Sequence, residues 1–265
     1  MMTRGFTLHM LVLASLAPAL LVSTAPIAYA GLGGLVEVLG EERFHRALYL
    51  SIVTSTFSAS IATALALPPA YLAARRGGFT ARTLASLHLL VLGLPPVGVG
   101  ISLLIALTKA PIASDLARVA GLVYSERSIV AAQTVIALPL AVSVMTATFT
   151  YIPRQLEEVA LVYGASSIDL ARRIILPLAA PGIAAAWLLS FFRSMGEFGA
   201  TLVLAGVTPG RTETLPIAMY NMLAIADLKA AAALMTLAVL TGLAIVSIVS
   251  ILMARMERVV EGIGE

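Results

Sequence analysis

Pro153 to Gly182 reads PRQLEEVALVYGASSIDLARRIILPLAAPG, the one polar stretch with a readable pattern between long apolar runs. Pro153 suits the first position of a helix, where its missing N–H would have no intrahelical partner anyway. Glu157 and Glu158 follow within two turns, near the positive end of the helix dipole. Gly164 can take the left-handed conformation that ends a helix. Ser166, with Asp169 three residues on, has the spacing of a capping box that opens a second helix. Arg172 and Arg173 are expected in the last turn of that second helix, where cations are favoured, and Pro177 at the entry to the next apolar run. The stretch predicts two short helices joined at a glycine, a rigid polar knuckle between membrane-length segments.

The rest of the chain is apolar beyond soluble composition. Of 265 residues, 60% are hydrophobic and 12% charged, with a mean hydropathy of +0.99, which marks an integral membrane protein. There is no cysteine, so disulfides, thiolate metal sites and cysteine nucleophiles are excluded. The pI is 9.4, but the net charge is only +3 and no basic run is interleaved with aromatics, so no nucleic-acid partner is expected. Lys109 and Lys229 follow Thr108 and Leu228, so the chain cannot build a phosphate-cradling Gly-Lys loop. Gly-x-Ser-x-Gly and His-Glu-x-x-His are missing as well. His9, His45 and His88 stand isolated and read as packing or interfacial residues rather than metal ligands. No catalytic group, metal site or cofactor is expected within this chain, which points to a transporter subunit rather than an enzyme.

Six segments are long enough to cross a hydrocarbon core of about 30 Å as helices. They are Phe6 to Ala30, Leu48 to Ala74, Leu84 to Thr108, Ile129 to Ile152, Leu178 to Ala205 and Ala230 to Met253. The first resembles a secretory signal in having Arg4 before it and Ala28-Tyr29-Ala30 at its end, but it outruns the signal core of about 7–15 residues and is expected to be retained. With the N-terminus inside, nine Lys and Arg lie on inner segments against seven outside, in line with the positive-inside rule. Arg75-Arg76-Gly77-Gly78 is its clearest element. Both termini and the knuckle are then cytoplasmic.

Inside the second span Ser51, Ser55, Ala59 and Thr63 repeat at four-residue spacing, beside Thr54, Ser58, Ala62 and Ala66. Small residues at this interval let helices approach closely in lipid, so a packing seam is favoured over a pore wall. Pro68-Pro69, Pro95-Pro96 and Pro139 each delete a backbone hydrogen bond and are expected to bend their helices. Arg193 and Glu197, four apart within the fifth span, are expected to neutralise one another, so that exchanging the two charges should be milder than removing either. Gly206, Pro209 and Gly210 break that helix, and Leu215 to Leu223 is expected to form a short helix at the outer face. A dianion crossing apolar walls needs hydroxyls, amides or cations in place of its water. Candidate gate and pore groups are therefore Thr54, Ser58, Gln133, Thr134, Ser190, Ser194 and Thr201, with Arg193 and Glu197.

Glu158-Val159-Ala160, then Gly164, then Ile174 and Leu176-Pro177 resemble the EAA loop of ABC-importer permeases, with Val159 the one departure from Glu-Ala-Ala. Leu94-Pro95-Pro96 and Leu138-Pro139 are further points of likeness. Gly196-Glu197-Phe198-Gly199-Ala200-Thr201, Ala205-Gly206, Gly210-Arg211-Thr212 and Thr214-Leu215-Pro216 are similar to molybdate importer permeases, with the tungstate and sulfate permeases as near relatives. The resemblance implies an all-α integral membrane protein of about six transmembrane helices, forming one permease domain over residues 1–265. Within it lie an N-terminal helix and outer loop (1–43), a permease core (44–255), a coupling loop (154–177) and a cytoplasmic tail (256–265). It implies that Glu157, Glu158, Ala160, Gly164, Ala165, Ile174, Leu176 and Pro177 couple to an ATPase. It also implies a homodimer in the plasma membrane, two ABC ATPase subunits that bind ATP and Mg on the cytoplasmic side, and an extracytoplasmic oxyanion-binding protein. Molybdate or tungstate is the expected cargo, with sulfate or thiosulfate the alternative. A rival from another class, an ion-coupled secondary transporter, would need an acid relay or inverted repeats, and Glu197 is the one acidic residue well inside a span.

Overall fold

The computed structural model of the protein describes residues 21–22, 24–30, 33–75 and 79–261. From Glu42 onward its helices are α1 (Glu42–Arg75), α2 (Phe79–Gly93), α3 (Pro96–Lys109), α4 (Pro111–Ala120), α5 (Glu126–Tyr151), α6 (Arg154–Val162), α7 (Ser167–Leu170), a π-helical turn (Ala171–Ile175), α8 (Leu176–Met195), α9 (Gly199–Ala205), α10 (Leu215–Ala224) and α11 (Leu228–Glu261). No strand occurs among the described residues, and the all-helical membrane class predicted from composition is the one observed.

Four segments are long and apolar enough to cross a membrane: Glu42–Arg75, Glu126–Tyr151, Ser167–Met195 and Leu228–Ser247. A bent pair, Ser86–Gly93 with Pro96–Lys109, makes a fifth if counted as one span. The expected first span lies mostly outside the described residues, of which 21–22 and 24–30 are helical. Two expected spans need correction. Leu84 to Thr108 is not one continuous helix, because its halves meet at 114°. Pro95 is extended there (φ −58°, ψ 131°), and two successive prolines remove two donors and push the preceding residue away from helix. Leu178 to Ala205 is likewise two pieces. Its helix begins at Ser167, stops at Met195 and resumes as α9 after Gly196-Glu197-Phe198.

The chain groups into two compact units, one spanning Tyr49–Glu213, the other formed by the segments before and after it. Within the larger unit α5 is central. Ala141, Val142, Met145 and Phe149 of α5 form a buried cluster with Ala66 and Ala70 of α1 and Ala179 and Ala186 of α8, and Ala160 of α6 packs against its edge. A second cluster joins Ala132 and Ile136 of α5 to Val99 of α3 and Ala200 and Leu204 of α9. The two small-residue rows on α1 are buried at all eight positions, none more than 7% exposed, as the packing-seam reading expects. Ser58 ties this seam to α5, its hydroxyl lying within hydrogen-bond distance of the Val130 carbonyl (3.1 Å) and of Gln133 Oε1 (3.0 Å).

The other unit contains α10 and α11, which pack on one another. Leu215–Ala224 is helical as expected after the Gly206–Gly210 break. Asp227 caps α11 by accepting the Ala230 N–H (2.9 Å), and Lys229 pairs with Glu37 (3.1 Å).

Two glycines permit the crossing of α3 and α9. A Cβ on Gly100 would lie 2.8 Å from Ala200 Cα, and one on Gly199 would lie 2.9 Å from the Val97 nitrogen. Backbone cannot retreat as a side-chain tip can, and overpacking such a site costs about 1–3 kcal/mol. Gly100→Val should therefore lower the melting temperature of the purified protein in detergent, whereas Gly93→Ala, where nothing lies within 4 Å, should leave it nearly unchanged.

Candidate functional site

The knuckle read from the sequence is built as follows. Pro153 is the N-cap residue of α6 (φ −61°, ψ 129°), one position earlier than expected, because its fixed φ also suits the extended residue before a helix. The far end of α6 closes with two bonds, Gly164 N–H to Leu161 O and Ala165 N–H to Ala160 O (both 3.0 Å). Gly164 is left-handed (φ +83°), so this is a Schellman cap, in which Ala160, Gly164 and Ala165 act as one closing unit. Ser166 then caps α7: its hydroxyl accepts from the Asp169 N–H (3.1 Å) and donates to Asp169 Oδ2 (2.6 Å). Only half of the expected capping box is made, since the carboxylate turns to the hydroxyl instead of the backbone.

The expected end of the second helix is absent. Ser167–Met195 runs on through a π turn at Ala171–Ile175, where the Leu176 N–H bonds back to Ala171 O. A proline ring crowds the carbonyl four residues before it, and a π turn just ahead of Pro177 widens the helix without ending it. Arg172 and Arg173 thus sit within a helix and not at its terminus, and Arg173 pairs with Asp169 (3.3 Å). Ile174, Leu176 and Pro177 lie on this same continuous segment. Ala160, Tyr163, Gly164, Ala165, Asp169, Arg173 and Ile174 line an open hollow of ≈ 430 Å³.

One contact here went unread in the sequence. Glu157 is held by Arg75 Nε (2.5 Å) and by the Tyr71 hydroxyl (2.7 Å), both from the end of α1. Arg75 also donates to the Phe149 carbonyl at the end of α5 (2.7 Å). Arg154 reaches the Ala74 and Arg75 carbonyls from the other side. The Arg75 and Glu157 side chains keep only 10% and 12% of their exposure. Glu158, by contrast, is exposed, as are Val159, Leu161, Val162 and Tyr163, the last two above 80%. The paired acids therefore divide the work, one inward as an anchor and one outward on an open apolar face. The available signal was charge of opposite sign after two different spans, Arg75 at the end of the second and Glu157 after the fourth, on the same side of the membrane by the expected topology.

At the far end of Ser167–Met195 stands the second group. Arg193 Nη1 lies 2.9 Å from Glu197 Oε2, and Glu197 is 1% exposed. Glu197 Oε1 also accepts the Ala200 N–H (2.8 Å), so one carboxylate both answers a cation and caps α9. Ser190, Ser194, Thr201, Thr54, Ser58, Gln133 and Thr134 are all buried within the chain. The structure joins Ser58 to Gln133 and gives the Thr54 hydroxyl the Leu50 carbonyl (2.8 Å). The hydroxyls of Thr134, Ser190, Ser194 and Thr201 have no hydrogen-bond partner among the described residues. Among the described residues no group of three or more His, Asp and Glu could hold a metal.

The double role of Glu197 changes the outcome of exchanging charges. Arginine at 197 cannot accept from Ala200, so the pair Arg193→Glu with Glu197→Arg should not be rescued. Glu197→Gln keeps an acceptor and should be the mildest variant. Arg193→Leu leaves a buried carboxylate uncompensated and should cost up to about 3–5 kcal/mol, read as the drop in melting temperature in detergent.

Comparison with known proteins agrees with this architecture. Residues 64–261 match the family model described as binding-protein-dependent transport system inner membrane component. The molybdenum transport system permease protein ModB of Mycobacterium bovis is 37% identical over 202 residues, 76% of each chain. Its counterpart in Haemophilus influenzae is 34% identical over 67% of this chain and 79% of that one. The fold is also similar to the crystal structure of a bacterial ABC transporter involved in import of the acidic polysaccharide alginate, with a TM-score of 0.74 over 96% of both chains at 18% identity. The chain belongs to the family of binding-protein-dependent transport system inner membrane components and is a multi-pass permease subunit of an ABC importer.

Proposed function

We propose that this permease passes molybdate, or the similarly shaped tungstate, into the cell on work done by separate ATPase subunits. The observation that carries this reading is the unbroken helix Ser167–Met195, which has the knuckle at one end and the Arg193–Glu197 pair at the other. The Glu157 anchor fixes α6 to the ends of α1 and α5, while the exposed Glu158, Val159, Val162 and Tyr163 face outward. An apolar patch on a polar loop suits burial in a partner, and we assign that partner as the ATPase subunit, which supplies ATP and Mg binding. A push on α6 then crosses only the short Gly164–Ser166 connection, closed by caps on both sides, before it enters the helix that ends at the Arg193–Glu197 pair. The subunit pairs with a second copy to enclose the path, its termini and knuckle on the cytoplasmic side. An extracytoplasmic binding protein delivers the anion at the opposite face.

The cargo assignment rests on the molybdenum permeases that the chain resembles. The unpartnered hydroxyls of Thr134, Ser190, Ser194 and Thr201 are donors a desolvated oxyanion could use once the helices part. Proteoliposomes holding the permease, its ATPase and its binding protein should take up labelled molybdate only with ATP inside. Unlabelled tungstate should compete and sulfate should not. Equal competition by sulfate would reassign the cargo, and uptake driven by an ion gradient without the ATPase would reject the class.

The knuckle's role has its own test. A Cβ at Gly164 would meet nothing within 4 Å among the described residues, but Gly164→Val must hold φ +83°, a strain of about 1–2 kcal/mol. Glu158→Lys changes an exposed side chain. Both variants should purify folded, with uptake per ATP hydrolysed falling several-fold; unchanged uptake would defeat the proposed coupling.

A further inference from the structure

Helix α4, Pro111–Ala120, is too short to cross a bilayer, and its apolar side chains are turned outward. Ile112, Leu116 and Val119 are 79%, 65% and 85% exposed. Their spacing of four and then three residues puts them on one face. Asp115 and Arg118, paired at 2.9 Å, occupy the flank, and Ala117 is buried. The helix is also held in place. Its C-terminal Gly121 is left-handed (φ +64°), and the Leu122 N–H closes on Ala117 O (2.9 Å). Arg127 Nη1 donates to the Ala120 carbonyl (2.9 Å), and the Ser125 hydroxyl donates to the Gly121 carbonyl.

Those two anchors fix the depth of α4. Ser125 and Arg127 are the cap and first turn of α5, a membrane-length helix of 26 residues, about 39 Å at 1.5 Å per residue, which exceeds the hydrocarbon core of about 30 Å. Its charged first turn therefore lies at the level of the headgroups, and α4 is bonded to it there. On its other side α4 follows α3 after the single residue Ala110, and α3 carries exposed Ile101 and Ile105, the composition of a lipid-facing surface. Lys109 lies just before α4, Arg118 pairs with Asp115 on its flank and Arg127 beside Glu126 begins α5, long cations whose stems can lie along apolar surface while the heads stay in water.

We propose that α4 is an interfacial helix that rests on the bilayer, with Ile112, Leu116 and Val119 set into the headgroup–acyl boundary. Its occupant is lipid. An amphipathic helix buries such a face about 5–10 Å deep, and here it braces the outer ends of α3 and α5 against the membrane. The proposal is independent of the cargo and of the ATPase contact.

The chain has no cysteine, so single-cysteine variants need no background removal. Ile112→Cys, Leu116→Cys, Val119→Cys, Asp115→Cys and Arg118→Cys would each carry a nitroxide in the assembled transporter in nanodiscs. Each would be kept only if it elutes as the parent does. The ratio of oxygen to aqueous nickel-chelate accessibility should be several-fold higher at 112, 116 and 119 than at 115 and 118. A ratio equal at all five positions would overturn the proposal in favour of a water-exposed helix. Exclusion of both reagents at 112, 116 and 119 would assign the face to a protein interface, with a second copy of this chain the occupant. Protection appearing only when the binding protein is added would make it a docking surface instead.

Discussion

In hydrocarbon a backbone donor left over at a helix break has no water to turn to, and the breaks in this chain are where its particular residues are explained. Glu197 is the clearest case. It accepts the Ala200 N–H that the restart of the helix at α9 exposes, and its own charge is answered by Arg193. The break before α3 is made by Pro95 and Pro96, which have no N–H to leave unpaired. Close packing of α3 on α9 then brings these two interruptions together, with Gly199 against Pro96 and Val97. The region Gly196–Thr201 is thus a consequence of breaking two helices at one place and satisfying what the breaks expose.

The knuckle obeys the same rule with different chemistry. Its first helix closes on Gly164 through a Schellman cap, its second opens on Ser166, and Pro177 is absorbed by a π turn. What makes it rigid is Glu157. A surface ion pair contributes little, but this one is largely enclosed and shares its atoms with Tyr71 and the Phe149 carbonyl. The loop is consequently part of the ends of α1 and α5, and Glu158 beside it stays exposed.

How far the chain could be read in advance depended on range. The Gly164 cap, the Ser166 cap and the buried rows from Ser51 to Ala66 follow from residues three or four apart, and they were legible. Charge alone suggests a helix end at Arg172 and Arg173, and the π turn that lets the helix continue past Pro177 has no local signature as strong as the proline itself. In the sequence Arg75 shows only as a topological charge, because its partner Glu157 lies 82 positions away. The same holds for Ser58 and Gln133, 75 apart, where each side chain was a plausible pore group until the other was seen beside it.

The sequence by itself determined that the chain lies in a membrane, that it is helical, that it carries no nucleotide-cradling loop of its own, and where its polar knuckle sits. Composition and local spacing suffice for these, because helix caps and apolar run lengths are short-range properties. Only the tertiary structure decided that one acid of the pair is an anchor, that Glu197 serves two partners, and that one helix joins the knuckle to the Arg193–Glu197 pair. Those facts depend on which distant residues share a buried site, and burial is set by packing that no single stretch encodes.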